Sequence, residues 1–423
     1  MRKLVIRKKY LVFVLYLLGL FFPALLKKQI ATCQEVATFF AILAPIFFYS
    51  KKTIHDTDRK LLFVGYLFII FNIIEIIYSA VKYGQSLGAI LYESGEIFSL
   101  ILFIWYCQRL RIKSDTGIVV IINKFFHAVT IILYINVFLK LLFNLELLYT
   151  GYYSSRNGGI RIIVFTEIIF LGTLLEFAIY LHRKNLNIKR NPINIAFLLA
   201  GIIYILFISQ TRMQIVTLIV SMVGMFTIGA RKLSKKSMGL MLIFSAALLI
   251  SQSPSFQKYF NNNFATIFNS SDMNANIRIM AIRHYLEQVN KSKMLGMGYI
   301  NENAVSNNLY DLQFIKHGPG GFVYWIDDVG IVGYYFTYGI TGLVLLIFMY
   351  IVMLIKAVKN RCQYSYKIGI VIYMIVSGIS FSFFTIGCQA YLPLIYFLIE
   401  INPDLSCFYS KKTNNKVFRF SNE

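Results

Sequence analysis

At residues Trp325–Ile355 the chain reads WIDDVGIVGYYFTYGITGLVLLIFMYIVMLI, and within those residues it passes from water-loving to oil-loving composition. Two adjacent carboxylates, Asp327 and Asp328, close a polar stretch, and no charged residue follows from Gly330 to Ile355. A helix rises 1.5 Å per residue, so an apolar run of that length crosses the roughly 30 Å hydrocarbon core of a bilayer. Upstream lies one long polar segment, Gln252–Val329, which holds Asp272, Glu287, Glu302, Asp311, Asp327 and Asp328 of the 19 acidic residues. Downstream come the basic connection Lys356–Lys367, two more apolar stretches near Ile368–Phe384 and Ile386–Ile401, and a basic tail.

Toward the N-terminus, apolar runs alternate with short basic connections. Spans are expected at Tyr10–Leu26, Ile30–Ser50, Leu61–Val81, Ala89–Gln108, Phe126–Leu148, Ile160–Leu181, Ile193–Gln210, Met213–Gly229 and Met238–Ser251. Lys124 and His127 mark the entry of the fifth at an interface, and Pro393 interrupts the last span of the chain. Of the 423 residues, 57% are hydrophobic and 14% charged, with a mean hydropathy of +0.64; a soluble chain carries about 25% charged residues. The expected fold is therefore an all-α polytopic integral membrane protein, with about twelve transmembrane helices and one large external loop before the last three. The N-terminal basic and apolar start lacks a small-residue cleavage site after Leu26 and is read as a retained first span. The chain divides into a membrane bundle (1–251), the loop (252–329), C-terminal membrane helices (330–401) and a tail (402–423).

The net charge of +23 is a matter of topology and not of nucleic-acid binding. On the side holding Met1 fall 28 of the 42 Lys and Arg residues, against 6 in the opposite short loops. This bias places both termini in the cytoplasm and Gln252–Val329 outside the cytoplasmic membrane. Cys33, Cys107, Cys362, Cys388 and Cys407 lack metal-type spacing, so neither a zinc site nor a disulfide framework is expected. Walker, HExxH and GxSxG motifs are absent.

Charged residues inside spans are costly, and Glu75, Glu93, Glu96 and Glu167 map to the outer halves of their helices. With Lys82, Arg156, Arg161 and Arg212 they suggest a polar cavity opening outward, although structural pairing explains any single one equally well. Glu176 lies deeper and has no evident partner in sequence. Arg212, in Ser209-Gln210-Thr211-Arg212, sits at the turn of a tight hairpin, where it can grip a phosphate or snorkel to headgroups. In the loop, Asn274–Asn290 is expected to be a helix with an apolar stripe of Ile277, Met280, Ala281, His284 and Tyr285. Arg278 and Arg283 project from it about 140° apart. Glu287, four residues on, is the expected surface partner of Arg283, while Arg278 has none. Next come Gly296-Met297-Gly298, His317-Gly318-Pro319-Gly320-Gly321, and Gly330-Ile331-Val332-Gly333.

These segments resemble the bacterial O-antigen polymerase and O-antigen ligase superfamily, in layout across most of the chain and in motif at Ser209–Arg212, Arg278 with the Gly296–Gly298 turn, and His317 ahead of Gly330–Gly333. Gly318 stands where the family usually has Asn, and Ile282 where it commonly has Trp. The resemblance implies glycosyl transfer between undecaprenyl-diphosphate-linked glycans outside the cytoplasmic membrane, with no metal or other cofactor, and a chain-length regulator as a further partner. Arg212 and Arg278, and more weakly Arg283, would hold the diphosphate, because an always-charged fork suits phosphates. His317 would be the base, with Asp327 and Asp328 as alternatives. Repeat-unit polymerisation is favoured over ligation, since nothing in the sequence implies an outer membrane. A flippase or transporter is the alternative of another class, expected to show discontinuous helices.

Overall fold

The computed structural model describes residues 3–6, 8–47, 59–109, 115–148, 154–156, 159–162, 165–185, 191–229, 273–301, 312–316, 324–359, 361–379, 388–403 and 418–421. The expected span Met238–Ser251 and His317 lie outside these residues. The architecture is helical. Among the described residues, five helical segments are long and apolar enough to cross a membrane: Lys60–Tyr83, Leu87–Gln108, Thr116–Phe143, Pro192–Ser209 and Ile331–Lys359. Tyr10–Leu25, Thr32–Ile46, Met213–Ile228 and Ser365–Ser377 are shorter apolar helices, so twelve full spans are not what the described residues form. Two ribbons complete the inventory: β1 (Lys3–Ile6) pairs antiparallel with β4 (Phe418–Ser421), and β2 (Ser154–Arg156) with β3 (Gly159–Arg161). The first brings the two ends of the chain side by side.

The long helices present large apolar side chains outward. Ile70, Ile73, Ile74, Ile77 and Val81 do so on α4 (Arg59–Tyr83), and Ile131, Ile135, Phe138 and Leu141 on α7 (Thr116–Phe143). Such faces suit lipid, which a helix tolerates because its backbone groups are bonded within the segment. Their ends carry the expected signals: Ser86 accepts from Ala89 N at 3.3 Å, Asp115 from Gly117 N at 3.1 Å and Asn191 from Ile193 N at 3.1 Å. Asn144 closes α7 in the left-handed region, at φ 52°.

Several expected boundaries are corrected. Helix α7 begins at Thr116, and Lys124 and His127 lie within it, not at its entry. His127 is tolerated there because Glu176 of α8 (Thr166–Asn185) meets its Nε2 at 2.6 Å. Asn123 and Asn194 donate to the same carboxylate at 3.0 and 2.7 Å, so Glu176 has three partners where sequence offered none. Residues 160–161 belong to β3, and α8 starts only at Thr166. Within the last expected span the turn Gln389–Tyr391 gives way to the helix Leu392–Glu400, and Pro393 stands in the first turn of that helix, where its missing N–H costs no hydrogen bond. All nine residues of that helix are buried.

The described part of the loop is a folded unit seated on the bundle. The expected loop helix is present as Met273–Val289. Its inward face is Ala281, Tyr285 and Val289 with His284, whereas Met280 is exposed, against the expected stripe. Tyr285 packs on Phe336 with ring centroids 4.7 Å apart and donates to Tyr324 O at 2.5 Å. Met297, Ile300, Leu312 and Ile315 join this small core, as does Tyr83 from the end of α4.

Candidate functional site

The membrane helix after the loop, Ile331–Lys359, is broken at Gly339, whose φ is 62° and ψ −160°. Only glycine reaches that region without strain. At the break the chain segment Lys293–Gly298 docks by main-chain bonds in both directions. Met297 N and Gly298 N donate to Phe336 O and Thr337 O at 2.7 and 2.9 Å. Ile340 N and Thr341 N donate to Lys293 O and Met294 O at 3.0 and 3.1 Å. The Gly296–Gly298 turn, with φ of 70° and 77°, is thus a docking element and not a phosphate loop. The following residues are held against α4: Tyr83 donates to Met297 O at 2.7 Å, Tyr299 N to Ser79 Oγ at 2.7 Å, and Gln85 Nε2 to Tyr299 O at 2.9 Å.

This docking creates a small cleft between loop and bundle, lined by Glu93, Gly298, Tyr299, Ile300, Lys316, Ile326, Phe336, Thr337, Tyr338 and Gln389. Lys316 Nζ lies 3.4 Å from both carboxylate oxygens of Glu93, and the two side chains are only 14% and 8% exposed. A cation and an anion are therefore held together in an apolar surround, where charges act more strongly than in water. On the cleft floor, Tyr299 and Tyr338 share a hydrogen bond of 2.8 Å, Gln389 Nε2 reaches Tyr338 Oη at 3.4 Å, and Tyr299 Oη bonds Asn72 Oδ1. Burial first, and Tyr338 next, hold the Tyr299 phenol well above its ordinary pKa, so it stays a hydrogen donor.

No protein-family model and no curated protein matches the chain. The site must be argued from its own chemistry, and the likeness to O-antigen polymerases and ligases rests on motif residues and layout.

The residues expected to act fall into several places. Arg278 does have a partner: its Nη2 lies 3.7 Å from Asp328 Oδ1, across the loop, with both side chains about half exposed. Arg283 is exposed, and no ion pair joins it to Glu287, which corrects its expected explanation. Arg212 is the first residue of the helix Arg212–Gly229, and Asp327 lies in the turn Ile326–Val329. Ser209 and Gln214, around Arg212, connect to Glu167: Ser209 Oγ donates to Gln214 Oε1 at 3.2 Å, and Gln214 Nε2 to Glu167 Oε1 at 3.3 Å. Among the described residues, the Arg212 turn and Arg278 therefore belong to different sets of contacts. His317 is the residue after Lys316.

Of the membrane acids singled out as cavity-forming, Glu93 lines the cleft and Glu75 is fully buried. Sequence reasoning missed Lys316, Tyr299, Tyr338, Asn72 and Gln389. For Asn72, Tyr338 and Gln389 the available signal was an uncharged polar group inside an apolar run, which a search for charges passes over; Lys316 and Tyr299, in the polar loop, carried no such signal. Among the described residues, no group of three or more His, Cys, Asp or Glu is gathered to hold a metal.

Proposed function

We propose that this chain is a membrane glycosyltransferase that polymerises undecaprenyl-diphosphate-linked repeat units at the outer face of the cytoplasmic membrane. The observation that carries it is the cleft where the docked loop meets the helices, with Lys316 and Glu93 facing each other above a floor of phenols and an amide. A lipid-linked donor has its diphosphate at the membrane surface and its sugar just beyond it. Lys316 supplies charge for the diphosphate, and Tyr299, Tyr338 and Gln389 supply hydrogen bonds for sugar hydroxyls. Arg278, held loosely by Asp328 at 3.7 Å, is free to exchange that exposed carboxylate for a phosphate, a swap that costs little in water. His317, adjacent to Lys316, is retained as a base candidate on position, and Asp327 and Asp328 as its alternatives. Diphosphate is a good leaving group, so the site's task is to stabilise its charge and accept a proton.

The test is the surface glycan of a strain lacking the gene. Single repeat units without polymer support polymerisation. Finished polymer left unattached would make the enzyme a ligase. Lipid-linked units trapped in the cytoplasm would make it a flippase, a reading that draws support from the helix break at Gly339.

A further inference from the structure

Among the described residues, buried carboxyl groups come with a hydrogen-bond or ion-pair partner, with one exception. Glu176 has two amides and an imidazole, Glu93 has Lys316, Glu167 has Gln214, and Glu400, whose oxygens make no hydrogen bond, has the Lys356 ammonium at 2.9 Å. Glu75 is 0% exposed, and neither of its carboxyl oxygens has a hydrogen-bond partner among the described residues. Leaving a buried polar group unpaired costs about 1–3 kcal/mol, and more for a charged one, so such a group asks for a functional reason.

Its position supplies one. Asn72 lies three residues before Glu75 on α4, hence on the same helix face. Asn72 Oδ1 accepts from Tyr299 Oη, which is 2.8 Å from Tyr338 Oη, and both phenols line the cleft. Glu75 is close enough for its charge to act on Tyr299, Tyr334 and Tyr338. Asn72 Nδ2 also lacks a partner among the described residues, so unused hydrogen-bonding capacity lies beside Glu75 on this line. A chain of hydroxyls therefore runs from the cleft floor to within one helical turn of a carboxylate that nothing else occupies.

We propose that Glu75 is the final proton acceptor of the transfer reaction, reached from the cleft through the Tyr338–Tyr299 hydroxyl pair. This rests on the glycosyl-transfer function proposed above and moves the base from the loop to the membrane helix. As the acceptor oxygen bonds to C1 of the donor sugar, the C1–oxygen bond to the diphosphate breaks, and the diphosphate leaves with the electron pair. The acceptor's proton passes to Tyr338 Oη while that phenol gives its own to Tyr299. Tyr299 turns its O–H from Asn72 toward Glu75 and protonates the carboxylate. Both phenols end neutral, as they began. Lys82, on the same helix, is the charged group that acts on Glu75, and Glu75 in turn acts on Tyr299 from the loop and on Tyr334 and Tyr338 from the broken helix. Glu93, Glu96, Tyr106 and Cys107 are further titratable side chains on the elements packed against α4.

The experiment uses purified full-length protein with lipid-linked repeat unit, measuring turnover across pH and donor binding separately. Wild-type turnover should fall as pH drops and Glu75 becomes protonated. Glu75→Gln, which keeps shape and loses the acceptor, should lower turnover at least ~100-fold, change donor binding less than about twofold, and abolish the acid limb. Tyr338→Phe, which cuts the relay without touching Glu75, should lose turnover in parallel, and Glu75→Asp should keep the acid limb with a smaller loss. Wild-type turnover in Glu75→Gln, or an unchanged pH profile with donor binding lost, would overturn the relay while leaving glycosyl transfer standing. A wild type that transfers no sugar overturns glycosyl transfer itself, and the relay with it.

Discussion

Adding one methyl group to Gly296 tests whether the cleft exists only because the loop is docked. A Cβ there would lie 2.5 Å from Gly339 N, 2.6 Å from Phe336 O and 2.7 Å from Thr337 O, all backbone atoms that cannot swing aside. The φ of 70° adds about 1–2 kcal/mol of strain for any L side chain. Overpacking against fixed atoms adds about 1–3 kcal/mol. At the break itself the contact consists of four main-chain bonds between Lys293–Gly298 and Phe336–Thr341, at roughly 1 kcal/mol net each. Strain and the energy of these four bonds are therefore of the same size, and Gly296→Ala should detach Lys293–Gly298 from the break even where the side-chain contacts to α4 persist. Gly339→Ala should behave alike, since its Cβ would meet Gly296 N, Met294 O and Lys293 O. Gly88→Ala is the control: it sits in a helix with nothing within 4 Å of the new atom, so it should be neutral or slightly stabilising. The assay is a pair of cysteines at Met294 and Thr341, cross-linked in membranes, alongside polymer formation. Gly296→Ala should lose both cross-link and polymer while Gly88→Ala keeps both. Full cross-linking in Gly296→Ala would refute the docking argument, and polymer without cross-link would detach the cleft from the reaction.

Other expectations separate stability from chemistry. Arg278→Ala breaks a half-exposed ion pair, so thermal stability in detergent should change by less than about 1 kcal/mol, whereas turnover should fall on the order of 100-fold if Arg278 meets the diphosphate; unchanged turnover would leave it a surface residue. Asp328→Asn should barely alter turnover if Asp328 only parks Arg278, and a large loss would restore it as a base candidate. Glu176→Ala strands His127, Asn123 and Asn194 in the bundle and should cost about 3–5 kcal/mol; an unshifted melting temperature would contradict that. An impermeant thiol reagent should label a cysteine at Asn262 and spare one at Ser234, and the reverse pattern would invert the topology.

What sequence determined about this protein is what periodicity and hydropathy can carry. The apolar runs that lie among the described residues are largely helical, the loop helix came within a residue of its expected bounds, and the hairpin around Thr211–Arg212 turns where expected. A helix bonds within itself, so its existence follows from local composition. What only the tertiary structure decided was pairing across distance. Arg278 meets Asp328 fifty residues later, Glu93 meets Lys316, and Glu176 meets His127. The glycine turn at 296–298 proved to be a backbone dock because Gly339, far along the chain, opens a helix to receive it. Glu75 reads in sequence like any other membrane carboxylate. It differs because the fold buries it one helical turn from the Asn72–Tyr299 pair and leaves both its oxygens unbonded among the described residues, and no local pattern records which partner a folded chain will withhold.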